Sequence, residues 1–191
     1  IMSKELYSKG HYIGLLTPKG ISLRLQEVGN VVRGGLGQAV FSPDGTKYIK
    51  ANDPDLTLRP KVEIYDFDRC SGQLSNQRTL LIDHEGFGIG VSVSPDSRYL
   101  YVTRTRVAYQ YDLTASDIAA TQTVIAKWDG FVSYNGNNVF WLSQLAPDGR
   151  IYVGSLNNTY HLHQINFPNR EDTACQFLQH SLKLPVLHLY D

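Results

Sequence analysis

The chain has 191 residues, of which 42% are hydrophobic, and its 18 Lys and Arg balance its 18 Asp and Glu to a formal net charge of zero. That length suits one domain or two small ones with a real core, and the charge balance excludes the electrostatic footprint of a nucleic-acid or anionic-membrane binder. No stretch approaches the roughly 18 apolar residues of a spanning helix, and Ile1–Leu6 carries no apolar signal region.

In chain order, Tyr12–Thr17 and Ile21–Leu25 read as two strands around a turn at Pro18-Lys19-Gly20. A repeat follows. Ala39–Ile49, Val91–Val102 and Ser143–Val153 align without gaps at a Pro-Asp pair that recurs at 43, 95 and 147, a period of 52. In each copy an apolar residue (Phe41, Val93, Leu145) precedes the turn, and an apolar or aromatic run follows it. Proline presets φ for the first central position and Gly supplies the left-handed one. Ser97 stands where the other copies have Gly45 and Gly149, which predicts some strain or a shifted turn type.

Each hairpin is followed by a third strand with period-two alternation: Val62–Phe67, Val107–Leu113 and Tyr160–Asn166. Polar loops then lead to fourth strands at Arg78–Ile82, Thr121–Ala126 and Cys175–Leu178. Four short antiparallel strands in each such repeat predict an all-β fold, a β-propeller with about three full blades plus partial ones. The expected divisions are trailing strands of a blade in 1–34, blades in 35–85, 86–134 and 135–180, and the start of a next element in 181–191, around Leu184–His188. Closed rings need 4–8 blades, so the expectation is an open arc or a fragment of a seven- or eight-bladed ring. Its end faces would be covered by remaining blades of the same chain or by a second copy.

The Phe41-Ser42-Pro43-Asp44-Gly45 core resembles the Ser-Pro-Asp-Gly blades of WD-repeat-like and lactonase-like propellers. Ile64–Leu74, Gln144–Tyr152 and the spaced ending Ala174–Pro185 look similar to propeller regions of large secreted bacterial proteins of the type IX secretion and gliding-motility kind. This resemblance implies a seven- or eight-bladed ring, an extracellular or cell-surface location and a binding or adhesion role. It brings no catalytic residues.

The candidate ligand contacts lie in loops that this topology gathers at one mouth of the ring: Asp53, His84, Arg104, Arg106, Trp128, Asp129 and Asn157. Trp128 beside Asp129 suits a sugar or peptide contact. Asp53-Pro54-Asp55 has too few ligands for a calcium loop. His161 and His163 share a strand face, but no carboxylate spacing completes a metal site. Cys70 and Cys175 fall at equivalent positions two blades apart, too far for a disulfide, and read as small packed residues. The glycine-rich pieces Gly34–Gly37 and Gly86–Gly90 open no helix, so no phosphate loop is expected. No metal, cofactor or catalytic residue is assigned.

Three functions fit this pattern. The first is a non-catalytic binding or scaffolding propeller of a secreted protein, with a protein or glycan partner. The alternative is a lactonase-like hydrolase with its site in the central channel, although Val40, Phe41, Ser92, Val93, Gln144 and Leu145 are poor acid–base equipment there. A WD-repeat hub is the weakest, because Trp128-Asp129 is a single dipeptide rather than one per blade.

Overall fold

The computed structural model describes residues 2–31, 36–53, 59–82, 88–134 and 136–188, with the backbone alone for Asp53. Its strands form antiparallel sheets. Blade I has three, β1 (Met2–Lys4), β2 (Gly10–Thr17) and β3 (Gly20–Glu27). Blade II has four, β4 (Leu36–Phe41), β5 (Lys47–Asp53), β6 (Lys61–Asp68) and β7 (Gln73–Leu81). Blade III follows with β8 (Gly90–Val93), β9 (Tyr99–Arg104), β10 (Val107–Asp112) and β11 (Thr123–Lys127). A small ribbon, β12 (Val132–Ser133) with β13 (Gly136–Asn137), leads to blade IV: β14 (Phe140–Leu145), β15 (Ile151–Ser155), β16 (Thr159–Ile165) and β17 (Phe177–His188).

In each full blade the strands lie side by side in chain order, and the first strands β4, β8 and β14 meet one another. The Pro-Asp hairpins close with Phe41 opposite Tyr48, Val93 opposite Leu100 and Leu145 opposite Ile151. Serine Oγ donates to the turn aspartate at 2.5 Å in two copies, Ser42 to Asp44 and Ser94 to Asp96. Ser97 does occupy the left-handed region at φ 63°, beside 69° for Gly45 and 79° for Gly149. Its hydroxyl also accepts the Asp44 amide of blade II at 3.0 Å. The Asp96 amide donates likewise to Asn169 Oδ1 at 3.1 Å, so each of these turns is pinned by the blade that follows.

Strand alternation gives each blade two faces. From blade II, Ile49, Ala51, Val62 and Ile64 pack against Val91, Leu100, Val102 and Tyr109 of blade III. Tyr99, Tyr101 and Ala108 pack from blade III against Phe140, Ile151, Val153 and Ile165 of blade IV. The outer face of blade I leaves Leu16, Ile21 and Leu23 at 76%, 62% and 77% exposure. On blade IV, Leu142, Leu178 and Leu182 are exposed.

Two expectations are corrected. Residues 181–188 start no new element but continue β17 against β16, with Leu182 opposite Leu162 and His188 opposite Thr159. Pro185 is tolerated because β17 is the outermost strand, where a missing N–H breaks no ladder. Cys175 is buried as expected, but Cys70 is exposed in the turn between β6 and β7, and both thiols are free.

Candidate functional site

Three regions gather polar groups. The first is the mouth. Arg104 ends β9 fully buried, and its guanidinium donates to the Gly88 carbonyl at 2.5 Å. Gly88 cannot be anything larger, since a Cβ there would fall 1.5 Å from the Trp141 ring. Arg106, in the β9–β10 turn, stacks over the Trp128 ring at 5.5 Å. Asp129 turns away to His180 Nε2 at 3.0 Å and accepts the Phe131 amide. Burial pushes the Asp129 carboxyl up, but the Phe131 amide and His180 outweigh it and hold the carboxyl below its ordinary range. Asn157 donates to the Asn137 carbonyl at 2.7 Å, tying the β15–β16 turn to the small ribbon. Of the expected contacts, the structure therefore joins Arg106 to Trp128 and holds Arg104, Asp129 and Asn157 in separate local networks. The side chain of Asp53 and all of His84 lie outside what is described.

The two strand histidines also part company. His161 Nδ1 faces Ser133 Oγ at 3.2 Å, whereas His163 lies fully buried, edge-on to Phe140. Among the described residues no cluster of three metal-ligating side chains forms.

The second region is the axis. A cavity of about 390 Å³ is lined by Val40, Phe41, Val93 and Leu145 with Ser92 and Ser143. Gln38 braces it, donating to the Ser143 carbonyl at 2.6 Å and accepting from the amides of Val91 and Ser143. This end of the channel carries no acid or base.

The third region lies between blades I and II, and the sequence reading missed it. Lys50 and Glu63 sit opposite each other on β5 and β6 and form a buried ion pair at 2.7 Å. Glu63 Oε1 also accepts from Asn30 N, Asn30 Nδ2 and Gln77 Nε2. Burial raises the Glu63 carboxyl, but Lys50 and these donors outweigh it and hold it low. Nearby, Lys4 Nζ is shielded from solvent and makes no hydrogen bond among the described residues. Burial first, then repulsion from Lys50, lowers the Lys4 pKa to about 8. Lys4 and Lys50 share a cavity of about 380 Å³ with Gln38, Tyr48 and Asn52. The signal was present in the sequence: Lys50 and Glu63 each interrupt an apolar run, at positions that face across neighbouring strands.

No family model matches the chain, and no curated protein sequence matches it. Solved structures do. A putative 6-phosphogluconolactonase from Bacteroides uniformis superposes with a TM-score of 0.64 at 16% identity, over 97% of this chain and 52% of that one. The periplasmic gluconolactonase of Pseudomonas aeruginosa gives 0.56 at 17%, over 93% and 52%. A gluconolactonase of Xanthomonas campestris gives 0.52 at 15%, over 80% and 44%. The fold is a β-propeller arc. It spans about half the length of each of these structures.

The comparisons also correct the functional expectation. These three propellers carry lactonase names, which speaks against the expected non-catalytic scaffold and against the assignment as no enzyme. Among the described residues no helix is long and apolar enough to cross a membrane.

Proposed function

We propose that this propeller hydrolyses lactones, with the cavity between blades I and II as its reaction site. The observation that carries the reading is the Lys4 amine, shielded, without a hydrogen bond among the described residues, and sharing its cavity with Lys50. A lysine whose pKa is drawn down toward neutrality by burial and a second cation has the character of a general base. In this mechanism neutral Lys4 takes a proton from water as its oxygen attacks the lactone carbonyl. The Lys50 ammonium, kept in place by Glu63, stabilises the tetrahedral oxyanion. The ring C–O bond then breaks, and the departing alkoxide recovers the proton from Lys4, leaving a hydroxy acid. The lactonase names of three propellers of the same fold support the reaction class. An extracytoplasmic setting, of the kind the type IX resemblance implies, belongs to the same proposal, and the periplasmic name of one neighbour supports it.

The test is acid release from glucono-δ-lactone, followed with a pH indicator against the spontaneous rate. The expected result is turnover that rises with pH toward 8 and falls to background in Lys4→Met, while thermal melting shows that variant folded. A wild-type rate equal to buffer, or full activity in folded Lys4→Met, overturns the reading.

A further inference from the structure

A separate groove runs along the outer part of blade III, on the strand pair β10–β11. Its floor is Val107, Tyr109 and Val124, with Tyr109 directly opposite Val124 in the ladder. Gln122 closes one end. At the other end stand two cations, Arg106 and Lys127, around a space of about 480 Å³. Strand periodicity explains the arrangement, because Val107 and Tyr109 are two apart on one face and Lys127 lies opposite Val107.

The cations are what distinguish this groove from an ordinary solvated rim. Both are exposed, and among the described residues neither forms an ion pair, so both charges are available to a ligand. Arg106 is also held in position: its guanidinium lies over the Trp128 ring at 5.5 Å, and the Trp128 amide donates to its carbonyl at 2.8 Å. A guanidinium fixed on an aromatic face is a pre-organised anion receptor. Its donors match a carboxylate.

We infer that this groove binds an amphipathic organic carboxylate, with the carboxylate held by Arg106 and Lys127 and an apolar body laid over Val107, Tyr109 and Val124. The length of the groove follows from the ladder. From Lys127 to Gln122 the strand advances five residues, roughly 16 Å, which suits a chain of several carbons better than a compact ion. The site is independent of the Lys4 cavity and of the lactonase reading.

Isothermal titration of the intact chain with octanoate tests it, with octanamide and acetate as probes that lack the charge and the tail respectively. Saturable one-to-one binding of octanoate is expected, with octanamide and acetate each at least about tenfold weaker. Arg106→Gln and Lys127→Gln should each weaken octanoate by about tenfold or more, and both positions are solvent-facing, so folding is retained. Equal binding of octanamide, indifference to both substitutions, or no saturable heat with octanoate overturns the assignment. Because octanoate is not a lactone, either result leaves the hydrolytic proposal to its own assay.

Discussion

Gln26 clasps Leu74 across the seam between blades I and II: its Nε2 donates to the Leu74 carbonyl at 2.7 Å and its Oε1 accepts the Leu74 amide at 3.0 Å. A side-chain amide here supplies the pair of hydrogen bonds that a neighbouring strand would give. Gln110 repeats the device between blades III and IV, with Arg170 O at 2.8 Å and Asp172 N at 2.7 Å. Gln179 returns it, to the Lys127 carbonyl and the Asp129 amide. Gln26→Ala leaves both main-chain groups of buried Leu74 without these partners, and such groups cost about 1–3 kcal/mol each when water cannot replace the bond. Urea denaturation should show a loss of at least about 1 kcal/mol. Gln26→Glu, which keeps the acceptor and loses the donor, should fall between wild type and Ala.

Ser97 tests two opposed effects at one position. Its positive φ is unfavourable by about 1–2 kcal/mol for a residue with a Cβ, while its hydroxyl receives the Asp44 amide from the preceding blade. Ser97→Ala keeps the strain and loses the bond; Ser97→Gly loses both. Gly should therefore exceed Ala in stability by about 1 kcal/mol, read as a difference in denaturation midpoint.

These two positions mark where the sequence was legible and where it was not. A turn such as Pro95-Asp96-Ser97 is a local object, and its chemistry repeats every 52 residues, so hairpins, third strands and fourth strands could all be placed. The clasp of Gln26 on Leu74 spans 48 residues and depends on how two blades are rotated against each other, which no local pattern encodes. Strand β1 was overlooked because Met2-Ser3-Lys4 is too short for alternation to show, and Lys4 was lost with it. Of the expected mouth residues, Arg106, Trp128, Asp129 and Asn157 lie between strands while Arg104 ends β9, and pairing them needed distances: Arg106 meets Trp128, while Asp129 goes to His180.

The outer face of blade I bears directly on solution behaviour. Leu16 and Leu23, with Ile21, are more than half exposed on a single sheet face, and contiguous apolar surface of this kind associates. Sedimentation velocity should show concentration-dependent self-association of the chain. Leu23→Lys should reduce it while changing unfolding free energy by no more than about 0.5 kcal/mol, as expected of a surface substitution. Unchanged association in that variant would place the contact elsewhere.

Acid sensitivity should come first from two histidines. His11 and His163 are fully buried, and burial foremost, reinforced by Lys4 for His11 and by His180 for His163, lowers each to about 4. Both are neutral in the fold, so the unfolded chain binds more protons between its ordinary imidazole pKa of about 6.5 and 4. Stability is complete above that range and is lost as pH falls through it, by up to about 3 kcal/mol for each histidine. The depressed carboxylates, Asp44 and Asp66 among them, act in the same direction only at lower pH. His163 Nδ1 accepts the His180 amide at 3.1 Å, an acceptor role that a glutamine carbonyl can fill. His163→Gln should therefore remove about half of the pH slope between 6.5 and 4, measured as urea midpoints across that interval.

The Lys50–Glu63 pair should respond asymmetrically to loss of each partner. Both side chains are almost wholly buried, at 8% and 4% exposure. Glu63 keeps three donors from Asn30 and Gln77 if Lys50 is removed. Lys50, by contrast, has no carboxylate other than Glu63 within ion-pair distance among the described residues, and Lys4 adds a second positive charge nearby. Breaking a buried pair typically costs about 3–5 kcal/mol because a charge is stranded. Glu63→Gln should therefore reach that range, since it leaves two ammonium groups facing each other, while Lys50→Met should cost less. Removing Glu63 also strips Lys4 of a favourable neighbour, so the Lys4 pKa should fall further below 8 and the pH dependence of lactone turnover should shift to lower pH with it. Equal destabilisation by the two substitutions would show that the amide donors of Asn30 and Gln77 give Glu63 no support of their own.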